Sequence, residues 1–285
     1  MTEILVVGGT GKTGRRVAAG LRERGFTPRV ASRSSARRFD WADERTWLPA
    51  LSGVGAAYLV GPQGGNAAER LRPFAELAVA HGVERLVLLS ARAWAELDDA
   101  AGLAAEQAVR ESGAAWTILR PTWFAQNFSE DRLLVDAVAE GEVRLATGEG
   151  REPFVDLEDV AEVAVAAMTK PGHDGQVYEL SGPDALTWGE AVDEIARAAG
   201  RPLRFTAVSG ERNREELVAR GYPAEFAAAV VALFEHIGQG RSPGRSDGVR
   251  RALGREPGSF RAYAQRTARF WRDQGRGPAA ERGGD

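Results

Sequence analysis

Residues 6 to 17 read VVGGTGKTGRRV: an apolar run breaks into glycines, with Gly8, Gly11 and Gly14 at G-x-x-G-x-x-G spacing ahead of a helical pattern. At the end of a strand, the first glycine permits a tight turn and the second lets backbone approach a pyrophosphate. The third lets the helix pack on the strand, and the helix N-terminus then faces the anion. This spacing predicts a dinucleotide-binding loop, in which Thr10, Lys12 and Thr13 join the three glycines as candidate contacts. The other reading of the same glycines is a tight strand-to-helix turn that binds nothing.

Outward from this loop, the runs EILVVG, TPRVAS, GAAYLVG, ERLVLLS and AWTILRP alternate with amphipathic stretches such as Gly14 to Arg24 and Ala67 to His81. Strand-length apolar runs without polar alternation belong to a parallel sheet buried on both faces. The expected fold is α/β, a Rossmann-like doubly wound parallel sheet with its ligand crevice at the carboxyl ends of the strands. Past about Val177 the pattern turns helical, and Thr187 with Glu190 three residues on fits a capping box. We therefore expect a Rossmann domain over residues 1–180 and a small, mostly helical lid over 181–272. The Gly- and Arg-rich tail, 273–285, is expected to be disordered.

Composition narrows the function. A net charge of −3 disfavours nonspecific attraction to nucleic acid or to an anionic membrane. There is no cysteine, and the three histidines, His81, His173 and His236, are too scattered to suggest a metal site. Met1 runs straight into an apolar strand with no basic leader, and no window reaches the ~18 apolar residues that a membrane span requires. The expectation is a soluble cytoplasmic protein acting on a small molecule, as a monomer or a homodimer.

The second strand ends Ser32, Arg33, Ser34, Ser35, where an enzyme using NAD places an acidic residue to hold the ribose hydroxyls. An arginine among hydroxyls suits a 2′-phosphate, so NADP(H) is the expected cofactor. Lys12 is a possible second contact, and it and Lys170 are the two lysines of the chain. Arg37 and Arg38 read as solvated surface.

The stretches GGTGKTG, VASRSS followed by FDWADERT, RLVLLSA, LRPTWFAQNFS and GEGREPFVDLEDVA resemble the atypical short-chain dehydrogenases of the NmrA-like group. Within that group the chain looks most like the festuclavine and agroclavine dehydrogenases of ergot alkaloid pathways. The resemblance implies that Asp40 lies near the adenine, that Val60, Gly61, Pro62, Leu89 and Ser90 line the cofactor, and that Pro121, Thr122 and Trp123 flank the nicotinamide. Each has a plainer reading: Asp40 could cap a helix beginning near Asp43, and Ser90 could close a strand end. Trp123, Phe124 and Asn127 follow a strand's carboxyl end, where a substrate crevice opens, although aromatic residues there also suit a core. From the lid, Tyr222, Phe234 and His236 are substrate-side candidates, with His236 otherwise an ordinary helix histidine. Asp156 and Asp159 read as capping or packing residues.

Ordinary short-chain dehydrogenases use Tyr-x-x-x-Lys to protonate the developing alkoxide. Four residues after Tyr58, Tyr178, Tyr222 and Tyr263 stand Pro62, Gly182, Phe226 and Thr267, so that pairing does not occur here. Near the usual tyrosine position the chain carries Glu106 and Gln107, on a helix that reads as structural. No catalytic residue is assigned; Ser90, Trp123 and Asn127 are pocket candidates. An iminium ion needs no acid, because it becomes a neutral amine on accepting hydride. Quinone or enone reduction is also compatible, and a non-catalytic NADP(H)-sensing regulator is the alternative from a different class.

Overall fold

The computed structural model describes residues 3–62, 66–242 and 244–274. Its strands are β1 (Glu3–Val7), β2 (Thr27–Ser32), β3 (Arg37–Arg38), β4 (Val54–Val60), β5 (Arg85–Leu89), β6 (Ala115–Pro121) and β7 (Glu142–Leu145). They continue with β8 (Arg151–Glu152), β9 (Gln176–Leu180), β10 (Leu186–Thr187) and β11 (Arg204–Ala207). Helices are given by their residues.

The chain divides into two compact units that interleave in sequence. The first gathers 1–122, 157–181 and 246–257; the second gathers 123–156, 182–245 and 258–285. A single cut near residue 180 therefore does not describe the packing. The segment 123–156 supplies Phe128, Val143 and Phe154 to the second unit's core. Residues 246–257 return to the first unit, where Arg255 pairs with the buried Asp159 at 2.7 Å. The helix Phe260–Gln274 extends past Trp271, so Asp273 and Gln274 are helical; the remainder of the expected tail lies outside the described residues.

The first unit holds a seven-stranded sheet in the order β3-β2-β1-β4-β5-β6-β9, parallel at every pairing. Leu5, Val7, Ala57, Leu59, Leu86 and Leu88 pack with residues of the helices Ala67–Ala80 and Ala100–Arg110. Their strand neighbours Val6, Tyr58 and Val87 are fully buried too, so both faces are covered, as apolar runs without alternation require. β9 is an additional strand: QVYEL pairs with β6 and lengthens the sheet beyond the strands legible as apolar runs. Strand order reverses between β1 and β4, which makes their carboxyl ends the switch point where a crevice forms in open α/β sheets.

The second unit packs the helices Trp188–Ala199, Ala224–Gly238 and Phe260–Gln274 around Trp188, Phe234 and Trp271. Its first long helix starts at a complete capping box: Thr187 Oγ1 accepts from the Glu190 backbone N–H at 3.0 Å, and Glu190 accepts from the Thr187 N–H at 2.8 Å. The pairs β7–β11 and β8–β10 complete the unit.

Candidate functional site

The glycine loop has the shape its spacing predicts. Gly8 adopts φ +71°, a conformation that side chains other than glycine's rarely accept. The Gly8 and Gly9 N–H groups both donate to the Ala31 carbonyl of β2, at 2.9 and 3.3 Å. Gly11 N–H closes the turn onto Gly8 O at 2.9 Å. A Cβ on Gly14 would stand 2.3 Å from the Gly8 carbonyl oxygen, so the helix Lys12–Glu23 can approach the strand end this closely only with glycine there. The N-cap of that helix is Gly11, which brings no side chain to cover the first-turn N–H groups. Gly11 and Thr10 are exposed and Thr13 is buried. A helix N-terminus with no side-chain cap, behind a glycine cradle, is the donor set a pyrophosphate requires, and NAD(P)(H) fits it.

At the end of β2, the hydroxyls organise the backbone. Ser35 Oγ accepts from the Ser32 N–H at 2.8 Å and donates to the Arg37 carbonyl at 2.7 Å, while Ser32 Oγ accepts from the Ser34 N–H at 3.3 Å. Arg33 and Ser34 stand exposed on this turn. Arg37 and Arg38 form the exposed edge strand β3. Asp40 does not cap the short helix ahead; Asp43 does, accepting from the Arg45 N–H. The Asp40 carboxylate instead accepts from the Ala42 N–H at 3.0 Å, and its carbonyl accepts from the Trp47 indole at 3.1 Å. Trp41 ties this segment to the end of β4, donating to Val60 O at 3.0 Å. Val60 in turn backs the glycine loop: a Cβ on Gly8 would lie 3.0 Å from the Val60 Cβ.

Val60, Leu89 and Leu119 stand side by side at the ends of neighbouring strands. Gly61 and Pro62 follow Val60, Pro121 ends β6, and Thr122 N–H pairs with Leu180 O of β9 at 2.9 Å. Ser90 extends β5 by one bond to β6, its N–H donating to Leu119 O at 2.8 Å. Below it lies Glu106, near the usual tyrosine position on a helix whose sequence reads as structural. Glu106, 1% exposed, accepts from Ser90 Oγ at 2.7 Å and from Arg120 through both oxygens, at 2.8 and 2.7 Å. Arg110 adds a fourth bond at 3.2 Å. The Glu106 hydrogen bond in turn raises the Arg120 guanidinium's affinity for its proton.

The substrate-side candidates lie in the second unit. Trp123 is half-buried; its ring stacks on Phe234, centroids 5.2 Å apart, and meets Trp188 edge-on. Phe234 is fully buried, so it backs Trp123 and offers no face of its own. Phe124 bridges to Val155, and Asn127 is the buried first residue of the helix Asn127–Glu130. Tyr222 stacks on the exposed Phe226, centroids 5.4 Å apart, and His236 lies in the last turn of Ala224–Gly238. Asp156 accepts from Gln126 at 2.6 Å and pairs with Arg266, which makes it a packing residue. Among the described residues no group of three or more His, Asp or Glu side chains is placed to hold a metal, and no helix is long and apolar enough to cross a membrane.

A family model described as NAD(P)H-binding matches residues 8–171. The uncharacterized oxidoreductase YesF of Bacillus subtilis is 36% identical, with 94% of this chain and 96% of that one covered. The NAD(P)H azoreductase of Xenophilus azovorans is 32% identical over 92% and 96%, and festuclavine synthase I of Penicillium roqueforti is 30% identical over 94% and 99%. In fold, the chain is similar to the NADPH-dependent quinone oxidoreductase QOR2 of Escherichia coli solved with NADPH, at a TM-score of 0.78 and 21% identity, covering 92% and 99%. With the glycine cradle in place and more than half of the chain matched, this protein belongs to the NAD(P)H-binding family, among Rossmann-like reductases with clavine-dehydrogenase relatives.

Proposed function

We propose that the chain is an NADPH-dependent reductase that passes hydride to a cyclic iminium ion or imine, with no tyrosine acid. The relatives named as azoreductase, clavine dehydrogenase and quinone oxidoreductase support the coarser reading, an NAD(P)H-dependent oxidoreductase. The choice of NADPH rests on Arg33, exposed among the Ser32 and Ser34 hydroxyls where a carboxylate would repel a 2′-phosphate. When bound, the dinucleotide supplies a hydride; the chain's residues cradle the pyrophosphate at Gly8 to Gly14 and position the acceptor.

The observation that carries the acceptor class is the state of the tyrosines. A tyrosine acid needs a nearby cation to bring its proton within reach, and neither lysine follows a tyrosine at the required spacing. Burial pushes the Tyr58 phenol up, against a smaller pull from Thr13. Tyr178 and Tyr222 are likewise raised by burial. Tyr263 is buried and donates to Ser129 at 2.8 Å. A cationic acceptor removes the need for a proton, and an aromatic face stabilises such a cation by about 0.5–2 kcal/mol.

The test is NADPH oxidation by the purified protein against iminium ions, quinones, enones and simple ketones, each with a no-enzyme control. Turnover of iminium ions with ketones untouched is the expected result; efficient ketone reduction contradicts it. Tight NADPH binding with nothing reduced would favour a dinucleotide sensor.

A further inference from the structure

Glu106 is a carboxylate at the bottom of the β5 and β6 strand ends, and its capacity is full. An ionised carboxylate only accepts, through about four lone-pair positions on two oxygens. Here Oε1 takes Ser90 Oγ and Arg120 Nε, while Oε2 takes Arg120 Nη2 and Arg110 Nη2. Two guanidiniums face the carboxylate, and the bidentate Arg120 fork fixes its plane. Arg110 is itself held across the Trp116 ring at 5.2 Å.

The consequence falls on Ser90. A serine hydroxyl has one proton, and a carboxylate has none to give back, so the Ser90 proton is committed to Glu106. Ser90 is half-buried, one residue past β5 at the carboxyl edge of the sheet. Any ligand group that reaches its oxygen meets lone pairs. Such an oxygen repels a ketone or quinone carbonyl and attracts an N–H. We propose that Glu106 is a positioning residue that turns Ser90 into an obligate hydrogen-bond acceptor. On this inference the acceptor class is a protonated cyclic imine whose N–H points at Ser90 Oγ.

The inference rests on the reductase reading and narrows it. In the reaction the hydride adds to the iminium carbon. The carbon–nitrogen π pair becomes the nitrogen lone pair, and the N–H stays in place. NADPH is oxidised to NADP+, the imine is reduced to a secondary amine, and no proton moves.

Two variants test this. In Glu106→Gln the amide oxygen faces the guanidiniums and the amide N–H2 faces Ser90, which frees the serine proton to point outward. Ser90→Ala removes the oxygen and leaves the Glu106–Arg120 pair intact. The readouts are the ratio of kcat/KM for protonated 3,4-dihydroisoquinoline to that for its N-methyl iminium counterpart, and calorimetric affinity of the NADP+-loaded protein for tetrahydroisoquinolinium relative to isochroman. We expect both ratios to fall about tenfold in each variant, the size of a lost hydrogen bond to a charged group. A general loosening of the fold would not single out the N–H partner.

Unchanged ratios in Ser90→Ala overturn the inference, and that variant decides if Glu106→Gln does not fold. Should the wild-type protein oxidise NADPH with neither iminium ion, the reductase reading fails, while the amine-to-isochroman affinity ratio still decides the role of Ser90.

Discussion

Gly14 and Gly8 meet so closely that a methyl group on the first would stand 2.3 Å from the carbonyl oxygen of the second. The contact is backbone on backbone, so no rotamer change relieves it. Gly14→Ala should lose about 1–3 kcal/mol of stability from the forced shift. It should weaken NADPH binding at least about tenfold, because the helix N-terminus moves off the pyrophosphate. Fluorescence titration and urea unfolding on the same preparation check both effects.

On the proposed function, Arg33 is the discriminating cation at the ribose end. Replacing it by glutamate removes a charge-assisted bond and puts a repelling carboxylate in its place. The ratio of NADPH to NADH affinity should drop by about ten- to a hundredfold, corresponding to about 1.5–3 kcal/mol. An unchanged ratio would move the 2′-phosphate contact elsewhere, to Lys12 first.

Buried charge makes the Glu106–Arg120 pair asymmetric to mutation. Arg120→Met leaves a carboxylate that is 1% exposed with two of its four donors gone, and should cost about 3–5 kcal/mol. The double variant Glu106→Leu/Arg120→Met should recover most of that loss, since no buried charge is then left uncompensated. Denaturant midpoints of the wild type, both single variants and the double variant form the cycle that checks this.

The capping box at Thr187 supplies a pH signature. The Glu190 carboxyl lies below its ordinary value of 4.5, held there by the Thr187 backbone N–H first and by Arg151 second. A carboxyl lowered on folding stabilises above its unfolded value, and that contribution fades as pH falls through the folded value. Glu190→Gln should therefore differ most from wild type above about pH 5, with the two curves converging at lower pH. Thr187→Ala should cost about 1 kcal/mol, or about 2 °C in Tm.

The glycine loop, the strands β1, β2, β4, β5 and β6 and the helix cap at Thr187 were legible because each is a local pattern: a spacing, an apolar run, a hydroxyl three residues before a glutamate. Glu106 was not legible. On an amphipathic helix its position looked structural, and only the fold shows that it is buried and faces Arg120, fourteen residues later on a different element. An arginine near the end of the apolar strand AWTILRP was the available signal, since a buried guanidinium demands a carboxylate. β9 was missed because QVYEL is short and follows turn residues. The interleaving of the two units was hidden because it depends on long-range packing of segments such as 123–156 and 246–257. Phe234 read as a pocket residue and is core; hydrophobicity alone does not separate the two.

Hydride transfer without a proton donor has an isotopic signature. With a permanently charged N-methyl cyclic iminium ion, kcat should be compared using NADPH or C4-deuterated NADPH, each in H2O and in D2O. Deuterium at C4 should slow the reaction and the rate should be the same in both solvents, because no proton is in flight at the transition state. A solvent isotope effect on the hydride step would contradict it and would require a proton donor at the strand ends.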